Sequence, residues 1–430
     1  LAKHGKIPPH LIEKNSHLFR SSNFEAIGYL VELYDIYTKV IGRDVLDCVK
    51  VEALLERIYQ RKYIFIYILG SFLYASFQQQ SNFLEESEKF IDLAVDNINR
   101  NLGRYSTTLI FFLAIKTVIY LERNIVCEAL QIIEMMPFYS RKRLPVLDST
   151  TYLYHLLSVK YALQTRQSRQ ARKNIDAISQ LYRRSPSRLY QPELAEALRA
   201  QIFIQAENYP AAQNILGTDF YQLNFTESAV AWCQLLLHDK RYIELERLAS
   251  DFLENNRFIL RYTSSSSVRI YIILGLQGQG KAFSAYTKLD AYVYLCKKTG
   301  AIRPFCEAGT GLLDLLRIVY FNNKNDSGKR EFIEKIFKAF GRLRDLERTD
   351  EELESILLIF SLSQREVEVL QHLMEGKTNP EIAGILFVSE STIKTHVHNI
   401  YSKFGIENRF ELLKLINAAN DLLAARLAGL

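Results

Sequence analysis

The chain has 430 residues, room for about two or three domains, and its 48% apolar content is ample for a core. Nine prolines and eighteen glycines leave little scope for a turn-rich β protein. The formal charge of +6 is modest for this length; it permits nucleic-acid contact without demonstrating it. Cys48, Cys127, Cys233, Cys296 and Cys306 are scattered. An odd count without paired spacing argues against a disulfide framework or a zinc site, and for a reducing, cytoplasmic setting. Each cysteine therefore reads as a small buried apolar residue. Apolar runs such as Tyr63–Leu69 and Leu109–Ile115 are too short to span a bilayer. The start carries no signal-peptide pattern. It is leucine rather than methionine, which reads as a piece of something longer.

From Leu1 to about Thr349 the sequence reads helical almost throughout, and it repeats. Each unit is a helix ending in a short polar turn, then an apolar residue and a small residue that opens the next helix. The turns read SSNFEAI at Ser21–Ile27, QQSNFLEES at Gln79–Ser87, LERNIVCEAL at Leu121–Leu130 and TRQSRQA at Thr165–Ala171. Later ones read AENYPAA at Ala206–Ala212, HDKRYIEL at His238–Leu245 and LQGQGKA at Leu276–Ala282. Taking Ser87, Ala129, Ala171, Ala212, Leu245 and Ala282 as equivalent gives intervals of 42, 42, 41, 33 and 37 residues. Such a period fits a solenoid of helix pairs, in which no unit buries its apolar face alone. An irregular helical bundle is the alternative. The units at Tyr209 and Tyr242 look most like tetratricopeptide repeats.

NNKNDSG at Asn322–Gly328 is a polar break. Lys329–Thr349 reads as one more helix, rich in arginine and lysine. Asp350–Phe360, acidic then apolar, reads as a partly helical linker, lacking the Pro/Ser/Gly content of a flexible one.

The stretch Ser361–Ile416 carries the clearest punctuation. Ser363 and Glu366 form a capping box that starts a helix, and Gly376 ends it. Thr378 and Glu381 form a second box, with Pro380 in the first turn where its missing N–H is harmless. Ser389 caps a third helix ended by Gly405, and Asn408 with Glu411 opens a fourth. Helices at Pro380–Phe387 and Glu390–Phe404, joined by a tight Val388-Ser389 turn, make a helix-turn-helix whose second helix enters the DNA major groove. Ile393, Val397, Ile400 and Phe404 recur at helical spacing and form its buried stripe. Lys394, Thr395, His398 and Ser402 point the other way, with the donors and methyl group that read base edges. Ser391, Thr392 and Lys403 are placed to reach phosphates. The tail after Ile416 favours helix weakly.

On these residues the sequence resembles a known family. L-S-x-R-E-x-E-V-L, G-K-T-N-x-E-I-A, V-S-E-S-T-I-K-T-H-V and N-I-x-x-K-F-G-I-x-N-R are similar to the LuxR/NarL-type DNA-binding domain, nearly without a gap from Leu362 to Ile416. The resemblance implies base contacts from Lys394, Thr395 and His398, and Arg409 as a further phosphate contact. It also implies dimer contacts from the helix holding Leu412 and Ile416. His398 replaces the lysine or arginine common in that family, which leaves the base preference open. From Ser361 to Asn417 there are six Lys/Arg against seven Asp/Glu, so the module has no basic excess. That argues against purely electrostatic binding; the acids fall mainly in first turns, where they favour the helix dipoles. A second resemblance covers Lys281–Leu316, where Gly300, Arg303 and Phe305 match the last repeat of MalT-like regulators of the LuxR class. In that class the helical arm binds small effectors or regulatory proteins, and an ATPase module lies N-terminal to it.

Other motifs invite alternatives. Gly275–Ala282 nearly spells a phosphate-binding loop, but Ala282 replaces the hydroxyl that holds magnesium, and the context is a repeat turn. The expectation is that this chain does not bind ATP. No His, Asp, Glu or Cys cluster has catalytic or metal spacing. His396 and His398, two apart on a helix, cannot share an ion; His396 reads as packing against a neighbouring helix. Arg166, Arg169, Arg172 and Lys173, and again Arg183, Arg184 and Arg188, are basic patches: solvated faces, or a groove for an acidic partner.

The expected architecture is all-α. A tetratricopeptide-like solenoid occupies 1–349, a linker 350–360, a LuxR-type helix-turn-helix domain 361–417 and a tail 418–430. The expected function is transcription regulation by a cytoplasmic homodimer on double-stranded DNA, under an effector or regulatory protein bound to the arm, with no cofactor, metal or membrane. A protein-binding scaffold without DNA binding, and a nucleotide hydrolase, are the alternatives.

Overall fold

The computed structural model describes residues 25–42, 47–80, 83–102, 108–139, 147–184, 192–217, 223, 225–255, 266–323, 325–342, 346, 362–404, 406–414 and 416–417. All of the regular structure among them is helical. In chain order the helices are α1 (Glu25–Gly42), α2 (Cys48–Gln60), α3 (Ile64–Gln80), α4 (Leu84–Leu102), α5 (Leu109–Glu122) and α6 (Val126–Tyr139). Then come α7 (Leu147–Gln164), α8 (Ser168–Arg184), α9 (Pro192–Gln205), α10 (Tyr209–Leu216), α11 (Thr226–His238) and α12 (Tyr242–Asn255). After α13 (Ser266–Gly278) and α14 (Ala282–Thr299) follow α15 (Arg303–Ala308), α16 (Leu313–Asn322) and α17 (Ser327–Ala339). The last are α18 (Gln364–Met374), α19 (Asn379–Leu386), α20 (Glu390–Phe404) and a helix, α21, over 409–414 and 416–417. None of the described helices is long and apolar enough to cross a membrane.

The repeated turns share one backbone device. Asn124, Arg166, Glu207, Lys240 and Gly280 all have positive φ, between 57° and 75°. At each, the next residue's N–H reaches back to a carbonyl in the helix just ended: Ile125 to Tyr120, Gln167 to Ala162, Asn208 to Phe203, Arg241 to Leu236 and Lys281 to Leu276, at 2.7–2.9 Å. This is a helix C-terminal left-handed cap, repeated. The following helix then starts with an N–H bonded to that same residue, from Ala129, Ala171, Ala212, Leu245 and Ala285. All five are fully buried. The last equivalent position is therefore Ala285, not the expected Ala282, and the interval from Leu245 becomes 40 residues. A second alanine three residues earlier, Ala282, hid the register.

Contacts divide the chain into two units, the first made of Leu1–Thr218, Leu223–Ser228 and Glu254–Ser265, the second of Asp219–Gln222, Ala229–Leu253 and Ser266–Leu430. In the first unit α3/α4, α5/α6, α7/α8 and α9/α10 are antiparallel hairpins, and α3, α5, α7 and α9 pack in series. A helix in the middle of such a series needs two apolar faces. Leu153 and Leu157 of α7 join Ile110, Ala114 and Val118 of α5 in one core. Tyr152, Leu156 and Val159 of α7 join Ile175, Ile178, Leu198 and Ile202 of α8 and α9 in the next. The second helices have only one side to bury and are amphipathic: α8 buries Ala171, Asn174, Ile175 and Ile178. A side-chain bond repeats with the stack. Gln164 Nε2 donates to Leu121 O at 3.1 Å, and Gln205 Nε2, one unit on, to Leu163 O at 2.9 Å. Each ties the last turn of one hairpin's first helix to the end of the preceding one.

In the second unit the glycines of Gly275–Ala282 serve packing and turning. A Cβ on Gly275 would stand 3.1 Å from Glu246 N and Tyr242 O, and one on Gly278 would overlap the Tyr242 ring. Gly280 is the left-handed turn residue. Gly300, at φ 72°, ends α14. Phe305 is buried, its ring 5.5 Å from Tyr292 and 6.0 Å from Phe332. The polar break at Asn322–Gly328 is a capped turn: Asp326 Oδ1 accepts from Lys329 N at 2.8 Å and opens α17. The buried Lys329 ammonium then donates to Asp290 on α14 at 2.8 Å and to Asn323 at 2.9 Å. The expected linker, Gly405, Arg188 and the tail lie outside the described residues. Of the cysteines, Cys233 and Cys296 are buried, Cys48 and Cys306 are partly covered, and Cys127 is exposed on α6. Cys127 thus departs from the buried reading, because α6 is a second helix with an outer face.

Candidate nucleic-acid interface

The helix-turn-helix is built by short-range bonds. Ser363 N donates to Glu366 Oε2 at 2.7 Å, and Glu366 N returns to Ser363 Oγ at 3.4 Å, opening α18. Gly376, at φ 86°, closes it. Thr378 N and Oγ1 donate to Glu381 Oε2 at 2.7 and 2.8 Å and open α19. The first of these bonds is the main reason the Glu381 carboxyl is held below its usual range. The α19 helix ends one residue earlier than expected. Phe387 takes the left-handed conformation, φ 52° and ψ 44°, and Val388 N bonds back to Ala383 O at 3.1 Å. A phenyl ring there is strained by its backbone and is 95% exposed.

Ser389 Oγ accepts from Thr392 N at 3.2 Å and starts α20. Its hydroxyl also lies 2.7 Å from those of Ser391 and Thr392, so three hydroxyls cluster at the helix entrance. Ile393, Val397 and Ile400 are buried; the Phe404 and Lys403 side chains lie outside the described residues. Lys394, Thr395 and His398 are all exposed, on the opposite face. Thr395 Oγ1 donates to Ser391 O at 3.0 Å. Its hydroxyl is thereby spent on its own helix, and what it offers a base edge is chiefly its methyl, the group that suits thymine. Lys394 Nζ sits 2.8 Å from Glu390. This face therefore carries one acid, but both groups are solvated, and such pairs yield readily. His396 is half-buried, as a packing residue would be.

Two expectations for the last helix do not fit the geometry. Arg409 is half-buried, with Nη1 donating to Lys377 O at 2.8 Å and Nη2 to Leu373 O. It closes the C-terminal end of α18, where a cation complements the helix dipole, so it is not free to take a phosphate. Arg365 does the same for α19, donating to Leu386 O at 3.0 Å. Leu412 and Ile416 are buried, at 0% and 2% exposure. They are core residues of the chain, not a dimer surface. Among the described residues of α21 the exposed apolar one is Phe410, at 77%. The cap of that helix is as read: Asn408 Oδ1 accepts from Glu411 N at 3.0 Å.

Two capped helices, a three-residue turn and a second helix with an exposed donor face define a helix-turn-helix DNA-binding module. Residues 360–416 match the bacterial regulatory proteins of the luxR family. The chain is 43% identical over 56 residues to the probable csgAB operon transcriptional regulatory protein of Salmonella typhimurium, covering 13% of this chain and 26% of that one. It is 46% identical over 50 residues to the uncharacterized transcriptional regulatory protein YhcZ of Bacillus subtilis, 12% of this chain and 23% of that one. It is 27% identical over 193 residues to the HTH-type transcriptional regulator MalT of Klebsiella pneumoniae, 42% of this chain and 21% of that one. That last alignment is too long for the module alone, so the likeness extends beyond residues 360–416. The matched parts amount to about a quarter or less of each relative's length.

Proposed function

We propose that this chain is a transcription regulator of the cytoplasm that reads double-stranded DNA through α20, under the control of its helical-repeat arm. The observation that carries the reading is the outward face of α20, where Lys394, Thr395 and His398 stand exposed opposite the buried Ile393, Val397 and Ile400. Lys394 and His398 supply donors, Thr395 a methyl group, and the hydroxyls of Ser391 and Thr392 face the phosphates. Hairpins in series and the likeness to MalT support a tetratricopeptide-type arm that takes an effector or a regulatory protein. Phe410, rather than Leu412 or Ile416, is an exposed apolar group of α21, available to a second copy on paired half-sites.

Selection of DNA from a random pool by the 430-residue chain should yield a defined site. On that site Lys394→Ala and His398→Ala should each cost about 1–3 kcal/mol and relax the preference at one position. Thr392→Ala should weaken selected and scrambled sites alike. Equal binding of selected and scrambled sites by wild type and both variants would remove the base-reading assignment. A chain with no salt-dependent shift of any duplex would instead be the protein-binding scaffold. The Arg409 assignment has its own test. Arg409→Ala should lower the stability of the module by about 1.5–3 kcal/mol, as expected for hydrogen bonds to a charged group. A phosphate contact would leave thermal unfolding unchanged and reduce only DNA affinity.

A further inference from the structure

We propose that the outward face of α8 is a second, sequence-independent contact for duplex DNA; this rests on the DNA-binding reading of the chain. Between residues 166 and 184 there are six cations, Arg166, Arg169, Arg172, Lys173, Arg183 and Arg184, against one acid, Asp176. All six cations are exposed. Asp176 lies 3.5 Å from Arg199 of α9. Among the described residues none of the six has a carboxylate within ion-pair distance, whereas Lys89, Lys116 and Arg199 of other helices in the same unit each do. Arg172 lies over the Phe203 ring of α9, 5.5 Å from its centre.

Arg183 and Arg184 sit in the last turn, where the helix dipole favours cations, but those at the other end are not where local helix electrostatics would put them. The first turn of α8 carries no acidic residue, and Arg169, Arg172 and Lys173 crowd its positive end. An isolated helix would be better served by glutamates there. A polyanion laid along the face removes the conflict. The spacing also suits an extended ligand. Arg172 and Arg183, like Lys173 and Arg184, are eleven residues apart, about three turns, so they share a face. The cations from Arg169 to Arg184 extend over about 22 Å of helix. A duplex presents one charge per about 1.7 Å of its axis, so such a row always meets phosphates whatever the sequence. DNA is favoured over an acidic protein because the row of unpaired cations matches the even spacing of duplex phosphates, and the same chain carries a DNA-reading helix in α20.

The test is the double substitution Arg169→Glu/Lys173→Glu in the 430-residue chain. A glutamate at 169 lies in the first turn and suits the dipole, and one at 173 replaces an exposed side chain, so thermal unfolding should be unchanged or shifted slightly upward, and a binding defect is not a folding defect. Titrating a labelled duplex of scrambled sequence over a range of salt, the variant should bind several-fold more weakly. Each phosphate contact contributes about 0.9 to the slope of log affinity against log salt, so the slope should fall by about 1–2. Wild type that binds with a slope the variant retains would overturn the proposal and leave the α20 reading intact. Retained DNA binding with lost binding of polyglutamate would overturn it in favour of an acidic protein partner. Wild type that fails to bind any duplex would refute both readings together.

Discussion

Leu412→Glu should unfold the helix-turn-helix module rather than merely separate two copies of it. The side chain is fully buried, and Leu412 N is bonded to Asn408 O in the first turn of α21. Removing a buried leucine side chain alone costs about 2–5 kcal/mol. The new carboxylate has to be buried without a partner or drag the helix into solvent, which adds to that cost. A module of this size holds only about 3–5 kcal/mol in its core. Hydrogen exchange should therefore show protection lost across 362–417, with DNA binding lost at every sequence. Phe410→Glu is the matched control. At 77% exposure it should leave protection intact and lower only the cooperative occupancy of paired half-sites. An intact fold in the Leu412 variant, with dimerisation alone impaired, would return the interface to Leu412 and Ile416.

That contrast shows what kind of information the sequence carried. Caps were legible because both partners lie within three residues: Ser363 with Glu366, Thr378 with Glu381, Asn408 with Glu411. The buried stripe of α20 was legible because period alone separates Ile393, Val397 and Ile400 from Lys394 and His398. The repeat was legible for the same local reason, with a three-residue slip where Ala282 and Ala285 compete. What escaped depends on which way a helix faces its neighbours. Leu412 and Phe410 are two apart on a helix that is apolar on more than one side, and nothing local says which is covered. Arg409 reaches carbonyls 32 and 36 residues away, so its motif position suggested a phosphate while its bonds close α18. Gln164 and Gln205 stand at equivalent places in their units, and that recurrence was the available signal for the bonds between hairpins. A left-handed phenylalanine at 387 had none, since the residue type argues against the conformation.

The other large effect is expected far from α20, at the ion pair between Lys160 of α7 and Glu227 in the first turn of α11. Its side chains are 4% and 5% exposed, so solvent screens neither charge. Glu227 Oε1 takes the ammonium, and Oε2 has no hydrogen-bond partner among the described residues. Beside it, Gln201 Nε2 of α9 donates to the Glu227 carbonyl at 3.0 Å. Lys160→Met keeps the length of the stem and removes the charge. It should cost about 3–5 kcal/mol, because a carboxylate with one oxygen already unmatched is then left buried alone. The double variant Lys160→Met/Glu227→Leu should recover most of that loss, since two apolar groups of similar volume need no partner. Urea unfolding followed by hydrogen exchange over 150–216 reads both. A loss below about 1 kcal/mol in the single variant would mean that the pair is solvated and behaves as a surface bridge. A double variant no better than the single would mean that the cost lies in packing, not charge. The pair joins α7 to residues 226–228 at the start of α11, the part of that helix that belongs to the first unit. If the arm transmits an effector's binding through the stack of hairpins, the single variant should also blunt the effector's influence on DNA occupancy, while the double variant restores it.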